Sequence, residues 1–243
     1  MTETQKLTSI VVAPSKAFDA INRRPTWILP LGLLFVFTLL ADFVVYRVVV
    51  TDANFERIAL AKIDWDAHAS VPRQSTGSMG QQIEAVKRQR KYWYLLPLAA
   101  IPLSVLPLSF FFYLVLLVAR AGTTFRKVFA VMCWSFVIYR CVGGIFVIAA
   151  LLIRGAEGFI PAVPEAWSPT SLAHVISPTA VSPNVYSTIS KIDPFLIWWL
   201  AVAAIGFSRT SNSLSIARST AIVAASEAVY LVLNASGVFA GAF

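Results

Sequence analysis

Residues that could carry chemistry are few. The chain has two histidines, His68 and His174, and two cysteines, Cys133 and Cys141, in 243 residues. Neither histidine has a Cys or carboxylate at zinc-ligand spacing, so both read as solvated loop residues. The cysteines fall on one predicted helix, about 12 Å apart at a rise of 1.5 Å per residue. A disulfide needs Cα atoms within about 7 Å, so both read as buried, reduced thiols. No Gly-rich loop ends in Gly-Lys-Ser/Thr to cradle a phosphate. No Ser or Cys has a nearby His to serve as its base. Catalytic, metal and cofactor residues are therefore not assigned, and no enzyme activity is expected.

Three ionisable residues stand apart. Asp42, Arg140 and Glu227 each sit near the middle of an apolar run. A charge at a span centre costs ~2.5–3.5 kcal/mol on insertion scales, so three scattered over lipid-facing surfaces would lose ~8–10 kcal/mol. The expectation is that Arg140 faces the bundle interior and pairs with Asp42, Glu227 or both. Such a cluster either holds three helices in register or lines a polar path.

The elements that must position these charges are lipid-facing helices. The chain is 58% hydrophobic and 13% charged, whereas a soluble domain has about 25% charged residues. Crossing a ~30 Å hydrocarbon layer takes about 20 apolar residues. Candidate spans cover about 27–50, 92–119, 128–153, 192–208 and 217–241, the fourth being short. The expected fold class is all-α: a five-span membrane domain over 27–243, preceded by a cytoplasmic tail and interfacial amphipathic helix in 1–26. Within 8–24, Ile10, Phe18 and Ile21 fall among Lys16, Asp19 and Arg23, with Pro14-Ser15 as a helix start. Trp27 suits headgroup level. The first apolar run is too long for a signal-peptide core and lacks a small-x-small cleavage site, so it reads as a retained span. The net charge of +8 gathers beside apolar runs, which fits membrane flanks and not nucleic acid.

Between the spans, Phe55, Ile58, Ala59, Lys62 and Ile63 fall at helical spacing, and the basic run "KRQRK" precedes the second span. That span carries Pro97, Pro102 and Pro107, candidate kinks that free the carbonyls of Trp93, Leu98 and Leu103. Three Ser-Pro pairs in 154–191 stop that stretch from spanning, so it lies along the surface or dips part-way in. The fifth span is rich in Ala, Ser and Gly and is expected inside the bundle. Gly237 and Gly241 are its candidate packing pair, within one chain or between copies. The Lys and Arg tally ties between the two sides, but short, densely charged loops fall on the side of the N-terminus, which sets N-inside and C-outside.

The ordered segments "APSKAFDAINRRPTWILPLGLL", "GTTFRKVFAVMCWSF" and "KIDPFLIWWLAVAAIGFSRTSNSLSIARSTAIV" resemble the bacterial Yip1-domain family. They match its Pro-aromatic-Pro approach to the first span, its Gly-x-x-Phe-Lys-like turn and its Asp-x-Phe-x-x-Trp fourth span. In this sequence Trp134-Ser135 stands where the family often has Tyr-Ser. The resemblance implies five helices, a cytoplasmic N-terminus, no catalysis and residence in a bacterial cytoplasmic (inner) membrane. Eukaryotic relatives act in vesicle trafficking, membrane shaping and Rab-type GTPase recruitment, but their Asp-Leu-Tyr-Gly-Pro motif is absent here. The expected role is a non-enzymatic membrane scaffold that recruits partners or organises membrane. The alternative is a small-solute or ion transporter using Asp42, Arg140 and Glu227. Expected partners are the lipid bilayer, a membrane or cytoplasmic protein and a second copy, with no nucleic acid.

Overall fold

The computed structural model describes residues 1–48, 51, 54, 57, 60, 80, 81, 84, 88, 96–155, 168–178 and 180–236. Among them there are helices and turns but no strand. Helix α1, Glu3–Val12, opens with a capping box in which Thr2 and Gln5 each accept from the other's backbone N–H. Ala13 interrupts it, and Pro14 starts α2, Pro14–Arg23, where a missing N–H costs little. Residues 8–24, read from sequence as one helix, are thus parts of two. Next come α3, Ile28–Val48, and α4, Leu96–Val118. Then α5, Phe125–Phe136, a π-helical turn, Val137–Val142, and α6, Gly143–Arg154, run on as one 30-residue apolar helix. A 3₁₀ turn, Leu172–Val175, precedes α7, Pro183–Ser190, α8, Pro194–Thr210, and α9, Ile216–Ala235.

Four of these helices are long and apolar enough to cross a membrane: α3, α4, the α5–α6 run and α9. The consecutive pair α7 and α8, bent at its break, counts as a fifth only if taken as one span. Helix α4 runs unbroken through Pro102 and Pro107. Pro97 is the second residue of its described part. Gly237, Gly241, His68 and most of the 52–95 stretch, "KRQRK" included except for Arg88, lie outside the described residues, as does 156–167.

The chain forms two compact units. The first comprises Met1–Thr38, Leu98–Gly143 and Phe195–Ala228. Its centre is α5 with the start of the π turn, buried on every side from Val128 to Ile138. A helix apolar all round belongs in a core. Around it pack Phe18 and Ile21 of α2, Val105, Phe112 and Leu116 of α4, and Trp199, Val202, Ala203 and Phe207 of α8. Aromatic rings link the layers, with Phe112–Phe207 at 5.2 Å and Trp27–Phe129 at 5.5 Å between centroids. Gly206 lets three elements meet, since a Cβ there would lie 2.5 Å from Val131 Cγ1 and 2.9 Å from Phe18 Cζ.

The second unit comprises Leu39–Pro97, Gly144–Pro194 and Val229–Phe243. The stretch after Ser168 folds back on itself there. Leu172 N–H donates to Ile192 O at 3.0 Å, and Ser171 Oγ donates to Ser190 O at 2.8 Å. Lys191 Nζ donates to Tyr230 Oη at 3.0 Å and Asn234 Oδ1 at 3.1 Å, and Asn234 Nδ2 donates to Thr188 Oγ1 at 2.7 Å. These bonds tie the end of α7 to the end of α9.

Candidate functional site: a clasped basic end and a π-turn arginine

One end of the first unit is built from segments far apart in sequence. The turn between α4 and α5 meets the turn between α8 and α9. Asn212 N–H donates to Ala121 O at 3.0 Å, Thr123 Oγ1 to Thr210 O at 3.2 Å and Ser213 Oγ to Arg120 O at 2.8 Å. The approach needs left-handed backbone at Arg120 (φ 53°) and Gly122 (φ 64°). Gly122 faces Asn212 so closely that a Cβ would sit 3.2 Å from Nδ2.

The N-terminal helices are fastened to this end. Ile10, Ala17, Phe18 and Ile21 are fully covered by the protein. Trp134 Nε1 donates to Thr26 O at 2.9 Å, and Asp19 pairs with Arg209 at 3.8 Å. Lys6 is buried, so its ammonium needs partners. It donates to Glu3 Oε1 at 2.6 Å and Thr26 Oγ1 at 2.9 Å, while Thr26 Oγ1 donates to Glu3 Oε2 at 3.1 Å. This triangle locks α1 to the segment after α2. Sequence reading missed it, although Glu3 and Lys6 have the i,i+3 spacing of a helix-surface ion pair. Lys16, Arg23, Arg24, Arg120, Arg126 and Arg209 remain exposed around the clasp.

The three mid-span charges are placed differently from one another. Asp42 and Glu227 are half-buried. Arg140 is exposed, its guanidinium carbon 5.7 Å from the Tyr139 ring centroid, so the expectation that it turns inward is corrected. Coverage on every side ends at Ile138, so Arg140 stands beyond the enclosed stretch of the helix. A π turn marks the same place, with Gly143 N–H reaching Ile138 O five residues back. Gly143, immediately after the turn, admits Phe195, whose ring carbon Cγ would be 3.2 Å from a Cβ there.

Helix α9 also departs from expectation. It is the least apolar of the four long candidates, yet only 11% of its residues are buried. It lies on the outside and not inside a bundle. Cys133 is fully buried and Cys141 half-buried, both as free thiols. His174 is exposed, its Nε2 2.9 Å from Ser168 O. Among the described residues no three His, Cys, Asp or Glu side chains gather as a metal site.

Comparison with family models, with curated proteins and with solved structures finds no match. Among the described residues the chain is all-helical, with four to five helices long and apolar enough to span a membrane.

Proposed function

We propose that the protein is a non-enzymatic, five-span scaffold of Yip1-like type in a bacterial inner membrane. Its clasped end faces the cytoplasm and recruits acidic partners or anionic headgroups. One observation carries the reading: two N-terminal helices and two short turns come together at one end, rimmed by the six exposed cations named above. Helix α5 leaves that end and α8 returns to it, which supports a crossing by α8 and five crossings in all. Dense positive charge on short loops supports the cytoplasmic side. At that level α1 and α2 lie near the headgroups with their apolar face turned to the protein, and Trp27 sits beside them. Each Lys or Arg near an anionic leaflet contributes ~1 kcal/mol to attraction.

The test uses the full chain, gently solubilised, with Arg23, Arg24 and Arg120 changed to Gln. Loss of co-purifying anionic lipid or protein, with the fold intact, is the expected result. Unchanged recovery sinks the recruiting role. The π turn at Arg140 favours a second reading, because π turns recur at functional sites. In that reading Arg140 belongs to a transport path. Sealed vesicles carrying the protein and passing no protons, metal ions or small anions would remove it.

A further inference from the structure

Helix α2 divides its residues between the protein and its surroundings. Ala17, Phe18 and Ile21 are fully covered, while Lys16 and Arg23 are exposed and Asp19 is half-exposed between them. Positions 16, 19 and 23 are spaced i, i+3 and i+7, so they share one helix face, opposite the covered one. Arg209, near the end of α8, reaches the same face, with Nη1 3.8 Å from Asp19 Oδ1. A second contact fixes that neighbourhood: a Cβ on Gly206, three residues before Arg209, would lie 2.9 Å from Phe18 Cζ. Lys16, Asp19, Arg23 and Arg209 therefore form one patch on α2 and the end of α8.

The patch sets three cations against one carboxylate. Its single ion pair is long, and both side chains are about half exposed, 51% for Arg209 and 48% for Asp19. An open pair of this kind holds its partners weakly. Among the described residues Lys16 and Arg23 have no ion-pair partner. Three positive charges less one negative leave two to be matched. A phosphate monoester carries about two negative charges near neutral pH and offers three strong acceptor oxygens. Guanidinium forks fit those oxygens in a bidentate way, and an ammonium adds a point charge. A phosphodiester supplies only half that charge.

We propose that this patch binds the phosphate-monoester headgroup of a membrane lipid, with Arg23, Arg209 and Lys16 as donors. Asp19 is the resident competitor, which the phosphate displaces from Arg209. This inference rests on the recruiting role given to the clasped end and names its ligand. The setting of α2 near the headgroups selects a lipid over a free phosphate, because a lipid in the same leaflet is held at high effective concentration.

The test places the full-length protein in phosphatidylcholine nanodiscs with a trace of acyl-labelled phosphatidic acid or, in a second arm, phosphatidylglycerol. Energy transfer from the tryptophans reads enrichment of the label around the protein. Phosphatidic acid should be enriched roughly fivefold over phosphatidylglycerol, and inorganic phosphate at equal bulk concentration should not displace it. Lys16→Gln, Arg23→Gln and Arg209→Gln should each cut the enrichment roughly fivefold, whereas Asp19→Asn should raise it by a similar factor. A pair that merely pinned α2 would move Asp19→Asn and Arg209→Gln in the same direction. Lys16 makes no ion pair, so Lys16→Gln keeps the proposal testable if an Arg209 variant fails to fold. An Asp19→Asn protein that gathers no more phosphatidic acid than the wild type overturns the proposal. So does equal enrichment of phosphatidylglycerol, or displacement by inorganic phosphate. Absence of lipid enrichment while an acidic protein still co-purifies overturns it as well, and leaves the recruiting role standing with a different ligand.

Discussion

Gly206→Ala probes a tight junction in the first unit. The new methyl would sit 2.5 Å from Val131 Cγ1 and 2.9 Å from Phe18 Cζ, against a comfortable carbon separation of ~3.5–4.0 Å. Val131 is the stiffer neighbour, since its branched side chain holds essentially one rotamer in a helix. Phe18 is fully buried and has no free volume to retreat into. Overpacking of this kind costs ~1–3 kcal/mol. Alanine returns up to ~1 kcal/mol because it favours helix more than glycine does. The net loss is then about 1 kcal/mol, a fall in Tm of about 2–4 °C for a chain this size. Strain also falls on Phe18, which anchors α2, so trypsin should cut sooner after Lys16 and Arg23. Adding Val131→Ala should recover part of the loss. The readouts are Trp fluorescence during heating in detergent and the rate of N-terminal cleavage. A Gly206→Ala protein as stable as the wild type, with α2 equally resistant, would show that α2, α5 and α8 do not meet at Gly206.

Glu3→Ala removes the partner of a buried ammonium. Because Glu3 is 41% exposed, the loss is discounted to ~1–2 kcal/mol, seen as earlier fraying of α1 by hydrogen exchange. Trp134→Phe keeps most of the packing but loses the bond to Thr26 O. It should cost ~0.5–1.5 kcal/mol in thermal unfolding, and an unchanged Tm would remove that bond from the account. Gly122→Ala forces a side chain into left-handed backbone at a cost of ~1–2 kcal/mol and presses on Asn212, so protease access to the 209–215 turn should rise. A membrane-permeant maleimide should label Cys141 well before Cys133, and equal rates in the folded protein would contradict the buried setting of α5.

Helix existence and type were legible in the sequence because lipid imposes a length rule: a run near 20 apolar residues has few alternatives. The start of α3, the end of α4, both ends of α8 and the start of α9 fall within a few residues of the apolar runs for that reason. The 8–24 segment was legible as helix but not as two helices, since Pro14 both stops one and starts the next. Proline in α4 was readable as a missing donor, yet whether it breaks a helix depends on neighbours, and α4 continues. At the candidate site the basic segments could be seen, but not their meeting. Asn212 and Ala121 find each other only after α5 and α8 have been laid side by side.

The sequence by itself determined an all-helical, lipid-suited chain, the positions of its apolar helices and the three charges placed at their middles. Only the tertiary structure decided which way those charges point. Direction depends on which neighbours the fold lays beside each helix, and coverage of this helix on every side ends at Ile138, two residues before Arg140. The burial of α2 is a tertiary decision too, because Phe18 finds its seat only where Gly206 leaves a gap beside Val131.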